Sequence, residues 1–558
     1  MIATDALVGP AWAVLVGVFV ATQCAYLGCI VVMGYFYTRP VDLIDPGHLD
    51  AGAPEVPIIL LYPVLRELES TMQTTFRALD TLDYPRDRYR IVAIPNDNDT
   101  ETIASLERLQ AEFDWLEILA VPPTSDPGWS VVWSSWEGNE KAYWWHTGKR
   151  ARVHELPAKK TRQLIYAFYT LCPEGGEQTL ISYIDADSAP PPNYFRIGAT
   201  GAVDYDVIQL TNVAGNVLAS WASTFHAFDH MCWDASIYQH MTDHGKHPFY
   251  VLGKGLFFKS DQLHAYGGFH PWLTIEDPEV GMRLWSNGAR LGVVPQPLVE
   301  EVPKTFRQGV TQRKRWVCGF FQSLGRPLAL MGMTAGQRFR ARLNLVPCLS
   351  LVINPLGLAA GIWILVLATT GSDHVDLGLT VLAGFNIVCS ALIVGYNWFN
   401  AWRVSAQVLE KRRSRLYLAF RVNPVFVMAY WLFWVIALTI GIQMFIRDKG
   451  LTWERTEKVD ANHDLVRALE LGAAADQASG GSGSGDALGQ DLAPAVPGHT
   501  YMGQRTADGP HDGARVDGHL VPDVQRAIRR LDDFAAVVAG RAGLGRGAAE
   551  VGDPRAWI

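Results

Sequence analysis

Apolar residues in this chain fall into two patterns. Four long stretches carry no charge at all: Ala11 to Phe36, Leu343 to Ser372, Leu377 to Trp402 and Val422 to Ile446. About 20 apolar residues span the roughly 30 Å hydrocarbon core of a bilayer, so each stretch is long enough to cross. A buried helix of a soluble protein normally shows a charged face, and these show none. The first lacks a basic leading segment and is too long for a signal peptide, so it reads as a retained anchor.

Between the first and second stretches the pattern changes to short apolar runs alternating with helical periodicity. Val56 to Tyr62 reads as a buried strand and Glu67 to Leu82 as a helix. Tyr89 to Pro95 is a second strand, Glu101 to Phe113 a second helix, and Leu116 to Val121 a third strand. Lys159 to Leu171 is helical and Leu180 to Ile184 is another strand. Such alternation predicts a mostly parallel sheet covered by helices, with ligands outside the carboxyl ends of the strands.

Charge placement predicts an orientation. The segment from Arg403 to Arg421 holds six basic residues (Arg403, Lys411, Arg412, Arg413, Arg415, Arg421) against Glu410, and Arg338, Arg340 and Arg342 precede the second stretch. Basic loops stay inside, which puts the strand-and-helix segment in the cytoplasm. The fourth stretch is either a full span or a re-entrant helix. Arg447 and Lys449 at its end, and Asn423-Pro424 suiting a bend at its start, favour re-entry.

Composition agrees with this division. The 558 residues are 49% hydrophobic and only 19% charged, with a formal net charge of -8 and a mean hydropathy of +0.06. A disordered chain is excluded, and no basic excess points to nucleic acid. Seven cysteines show no Cys-x-x-Cys pair, so neither a zinc site nor a secreted disulfide framework is expected.

Candidate chemistry sits where strands end. Asp97 and Asp99 follow the second strand, and Asp185 and Asp187 follow the strand at Leu180. Two carboxylates one residue apart suit a divalent cation shared with substrate phosphates, although Asp-x-Asp before a Pro-rich loop is also a common turn. Glu276-Asp277 precedes a helical run, where acids also favour the helix dipole. Gln312-Arg-Lys-Arg-Trp316 is basic and aromatic, and equally suits a helix lying on a membrane. An aromatic stretch with Trp129, Trp133, Trp136, Trp144 and Trp145 reads as a cover packed on its own domain, with sugar stacking as the alternative.

In order along the chain these elements resemble the membrane-integrated family 2 glycosyltransferases, the group of cellulose, hyaluronan and chitin synthases. The resemblance covers roughly Val56 to Lys458. It rests on Pro63-x-x-x-Glu67, Asp97 and Asp99, Lys160, Asp185-x-Asp187, Gly253 to Phe258, Glu276-Asp277, Gln312-x-x-Arg315-Trp316 and Trp453-x-Arg455-Thr456. The sequence departs from the family at Asn96-Asp97-Asn98, where it has no paired Asp-Asp-Gly, and at Ile275, where a Thr is usual. The resemblance implies an α/β fold of the GT-A type, with a mostly parallel sheet, inserted between transmembrane helices. It divides the chain into an anchor (1–40), a cytoplasmic catalytic domain (41–335), a membrane region (336–458) and a flexible tail (459–558).

It further implies an inverting transfer from a nucleotide sugar, of the UDP-glucose type, to a polysaccharide at the plasma membrane. A lipid-linked or short glycan is the alternative acceptor, and a non-catalytic scaffold the alternative role. Asp277 would be the general base. Asp97, Asp99, Lys160, Asp185 and Arg315 would bind donor, and Glu276, Gln312 and Trp316 acceptor. Asp187 would hold Mg²⁺ or Mn²⁺. The tail contains a Gly/Ser linker (Ser479 to Gly485) and a helical face from Asp523 to Val538 that suits docking to a protein partner.

Overall fold

The computed structural model describes residues 2–37, 44, 55–242, 247–325, 330–370 and 375–447. The Trp453 to Thr456 motif, the Gly/Ser linker and the Asp523 to Val538 helix lie outside the described residues.

Seven strands form one sheet: β1 (Ile58–Pro63), β2 (Tyr89–Ile94), β3 (Leu116–Ile118), β4 (Leu180–Tyr183), β5 (Val207–Ala214), β6 (Leu256–Lys259) and β7 (Leu291–Glu300). Their order is β3-β2-β1-β4-β6-β5-β7. Neighbours run parallel except β6, which is antiparallel to both β4 and β5. The domain is thus α/β with a mostly parallel, mixed sheet. The four strands read from the sequence are β1 to β4. The antiparallel β6 was not foreseen, because four residues carry too short an alternation to separate strand from loop.

Strands β1, β4 and β5 are buried along their whole length, as expected of a sheet with helices on both faces. Helices α1 (Ile2–Tyr37), α2 (Glu69–Asp80), α3 (Thr100–Gln110), α4 (Ser130–Glu137), α5 (Tyr143–His146), α6 (Lys160–Leu171), α7 (Tyr194–Asp204) and α8 (Trp221–Cys232) come first. A π-helical turn, Trp233–Ile237, runs on from α8 into α9 (Tyr238–Thr242). Then follow α10 (Ser260–Ala265), α11 (Asp277–Ser286), α12 (Phe306–Leu324), α13 (Ala335–Thr369), α14 (Leu377–Val404), α15 (Arg412–Arg421) and α16 (Pro424–Ile446).

The Trp-rich stretch packs on its own domain. Trp129, Trp136, Trp144 and Trp145 are buried in one cluster with Phe168 and Tyr169 of α6. The Trp136 indole N–H donates to the Tyr169 hydroxyl at 3.1 Å and to the Gly267 carbonyl at 3.2 Å.

Two helical segments among the described residues, Leu377–Gln407 and Pro424–Ile446, are long and apolar enough to cross a membrane; shorter apolar ones run over Phe19–Val32 and Gly357–Thr369. Helix α14 is arranged inside out. Leu377, Val381, Phe385, Val388 and Leu392 are exposed, whereas Asn386, Ser390, Asn397 and Asn400 are buried. Helix α16 is unbroken, and Asn423-Pro424 starts it rather than bending it. The Asn423 side chain accepts from the N–H groups of Val425 and Phe426, and Pro occupies the first turn where no N–H is needed.

Candidate active site

Because β1 and β4 run parallel, their carboxyl ends meet at one edge, and the chain leaves β4 directly into Asp185-Ala-Asp187. Strand β6 runs the other way, so its beginning lies beside the end of β4. That delivers the Gly253-Lys254-Gly255 turn to Asp185. The Asp185 carboxylate receives Lys160 at 2.6 Å and lies 3.8 Å from the Lys254 ammonium. Lys160, in the first turn of α6, also donates to the Gly253 carbonyl at 2.9 Å. Gly253 has φ +73°, and a Cβ there would stand 3.1 Å from the Asp277 carboxylate. Only glycine allows that approach.

Helix α11 presents its N-terminus to the same space. Glu276 is the N-cap and Asp277 the first helical residue. The Thr161 hydroxyl donates to Glu276 at 3.2 Å. Burial first, and then the neighbouring Glu276, push Asp277 up to about 8, against the pull of Lys160. Burial draws Lys160 down, but Asp185 and Glu276 outweigh it and leave the group above its ordinary value. Lys159, donating to the Leu273 carbonyl, is pulled down to about 8 by burial despite Glu276.

These residues line a cavity of about 260 Å³ that also takes in Glu67, Asp187, His230, Trp233, Asp234, Tyr250, Gln312, Arg315, Trp316 and Phe320. The sequence-derived residues Lys160, Asp185, Asp187, Glu276, Asp277, Gln312, Arg315 and Trp316 therefore converge. Asp97 and Asp99 are not in the cavity lining. Asp97 is exposed beyond β2, and the Asp99 carboxylate accepts the Arg66 backbone N–H at 2.8 Å.

Two donor sets suit a divalent cation. Asp187 lines the cavity, with one carboxylate oxygen accepting the Glu301 N–H at 3.0 Å. Beside it, His230 Nδ1 lies 2.8 Å from Asp234 and 3.2 Å from Glu300, and the ligand atoms of the three residues all fall within 4.8 Å. An imidazole with two carboxylates fits Mn²⁺ or another transition ion better than Mg²⁺, which takes oxygen ligands. Lys254 also reaches Glu300, so these acids already attract a cation.

His230, Asp234 and Glu300 carry no motif in the sequence. His230 and Asp234 stand four apart in a long aromatic helix, and Glu300 arrives from a strand that the sequence pattern did not reveal. Only Lys254 was in reach, inside the Gly253 to Phe258 segment.

Residues 180–446 match the family model described as glycosyl transferase family group 2. No curated protein matches the chain. Among solved structures the chain is similar to a mannosyltransferase from Pyrobaculum calidifontis in complex with GDP-Man and Mn²⁺, at 16% identity and TM-score 0.43, covering 78% of this chain and 99% of that one. It is also similar to residues 1–349 of TarS from S. aureus in complex with UDP-GlcNAc, at 9% identity and TM-score 0.28, covering 63% and 92%. The matched segment, which holds Asp185, Asp187, Glu276, Asp277 and Arg315, is similar to a family 2 glycosyl transferase domain, and the chain is a glycosyltransferase.

Proposed function

We propose that the enzyme is an inverting transferase that moves a sugar from a nucleotide donor, of the UDP-glucose type, to a growing polysaccharide at the plasma membrane. The observation that carries this reading is Asp277: a carboxylate held near neutrality, in one cavity with the Asp185–Lys160 pair and Arg315. A base poised near the working pH is what proton removal from a hydroxyl requires.

The acceptor hydroxyl oxygen attacks the anomeric carbon from the face opposite the diphosphate. As the new C–O bond forms, the bond to the diphosphate oxygen breaks and its electron pair leaves with the nucleotide. The hydroxyl proton passes to an Asp277 oxygen. Lys160 and Arg315 face the charge that develops on the diphosphate, and such fixed charges act strongly in a site shielded from water. Asp187, with His230, Asp234 and Glu300 nearby, would hold the divalent cation, which neutralises diphosphate charge when bound. Glu276, Gln312 and Trp316 would contact the acceptor. Asp97 and Asp99, outside the cavity, would meet only the nucleoside end of a donor that extends along β2.

The inside-out character of α14 supports a membrane setting, since polar side chains turned inward and apolar ones outward suit lipid and not water. Basic residues of α15 and its flanks support a catalytic domain on the cytoplasmic side. The polysaccharide acceptor, as opposed to a lipid-linked or short glycan, rests on Gln312-x-x-Arg315-Trp316.

A donor panel containing UDP-glucose and GDP-mannose, read as released nucleoside diphosphate in membrane vesicles, tests the reaction; product length tests processivity. Release from no donor would sink the reading. For the cation, Asp187→Ala should weaken Mn²⁺-dependent UDP binding by roughly tenfold or more, the size of losing one charge-assisted contact. Calorimetry with and without Mn²⁺ reads it.

A further inference from the structure

Behind the cavity wall lies a buried charge cluster that the reaction does not use. Arg313 is fully buried in α12 and reaches one Asp229 oxygen with two nitrogens, at 2.6 and 3.2 Å. The same oxygen accepts the Tyr430 hydroxyl from α16. The Arg313 guanidinium also lies between two indoles, 5.5 Å from the Trp316 ring and 5.1 Å from that of Trp434. Tyr430 further meets His226 of α8 at 3.1 Å.

Two of its members, Asp229 and Arg313, sit beside cavity residues in the chain. Asp229 precedes His230, and Arg313 follows Gln312 and precedes Arg315 and Trp316. Helix α12 is pressed onto α16 as well, since a Cβ at Gly441 would come within 2.6 Å of Val317 and 2.8 Å of the Lys314 carbonyl. Taking an ion pair out of water costs several kcal/mol per ion, so packing alone would favour apolar side chains here. What a guanidinium adds is direction: a planar fork accepts one carboxylate geometry and stacks on rings.

We propose that Arg313, Asp229 and Tyr430 form a positioning device through which the apolar helix α16 sets the placement of Arg315 and Trp316 against the cavity. None of the three touches substrate. They fix the register of α12 against α8 and α16, so the apolar helix is part of the catalytic apparatus and not only an anchor. The inference rests on the proposed roles of Arg315 and Trp316.

The test uses the full chain in detergent or vesicles with UDP-glucose and GDP-mannose as donor probes, and reads turnover, donor KM and thermal midpoint. Tyr430→Phe removes one hydroxyl and keeps the ring. It should lower kcat about tenfold, with donor KM within about twofold and the midpoint unchanged, because small misplacements at a reacting centre are costly. Arg313→Met should lose more, and Arg313→Lys, which keeps a cation between the two rings, should recover part of that loss. Turnover of Tyr430→Phe equal to wild type would overturn the proposal. So would losses that follow the thermal midpoint across the series, or an Arg313→Lys no better than Arg313→Met. Asp277→Asn runs alongside: if it stays active, the base assignment falls while the Tyr430 comparison stands.

Discussion

Two acids in the first turn of helix α11 have opposite fates. Two residues after Asp277, Glu279 is wholly buried, yet Arg283 meets both its oxygens, at 2.8 and 3.0 Å, and the Tyr143 hydroxyl adds a third contact at 3.1 Å. Arg283 is itself held by the Gly268 carbonyl at 2.7 Å and lies over the Trp144 ring. Asp277 faces a cavity with Glu276 and Asp185 as its acidic neighbours, and its ionisation is opposed. Within one turn of helix the same residue class serves structure where its charge is matched and, in the proposed reaction, chemistry where it is not. Perturbed groups in a cleft are where function is to be sought.

Removing the cavity acid should have the largest effect. Asp277→Asn keeps shape and removes the proposed base, and turnover should fall by about 10³-fold, within the range for a lost general base. Steady-state release of nucleoside diphosphate measures it, and UDP affinity should stay put. Breaking the buried pair should act on stability instead. Arg283→Met leaves Glu279 buried without its partner, at a cost of about 3–5 kcal/mol. Denaturation in detergent would show it, while turnover per folded molecule is retained.

The pH dependence sharpens the contrast. As a base Asp277 must be ionised, so kcat/KM should rise with pH through about 8 and fall tenfold per unit below it. Stability runs the other way. Because the folded state holds this proton more tightly than the unfolded one, the contribution is complete below the ordinary aspartate range and is lost as pH rises through about 8. Asp277→Asn should therefore melt above wild type at pH 9 and level with it at pH 4. A flat difference between those pH values would show that Asp277 is not the perturbed group. The smallest effect belongs to the Trp-rich cover. Trp136→Phe gives up two indole hydrogen bonds and should cost about 1 kcal/mol, with donor KM unchanged because the cover does not line the cavity.

Local pattern was enough for much of this. Strands β1 to β4 and helices α2, α3 and α6 lie where apolar periodicity places them, Asp185, Glu276 and Asp277 stand out by residue type at element ends, and Arg315 by the basic and aromatic cluster around it. These features depend on neighbours in the chain, and a strand running into Asp-x-Asp is visible as such. The Trp-rich stretch shows the limit of composition, because five tryptophans are equally compatible with stacking on sugar and packing on α6. Burial decided it, and burial is a property of the fold.

The sequence by itself determined that the chain has uncharged stretches of membrane length, an alternating α/β segment, and acids at strand ends. Only the tertiary structure decided which acids share a cavity. Reversing β6 brings Gly253 and Lys254 to Asp185, the π turn after α8 sets Asp234 beside His230, and the end of β7 adds Glu300 from some 70 residues away. It likewise left Asp97 and Asp99 outside and joined Arg313 to Tyr430. Apart from the His230–Asp234 pair, these contacts link residues far apart in the chain, and such contacts follow from strand direction and helix packing, which no local pattern encodes.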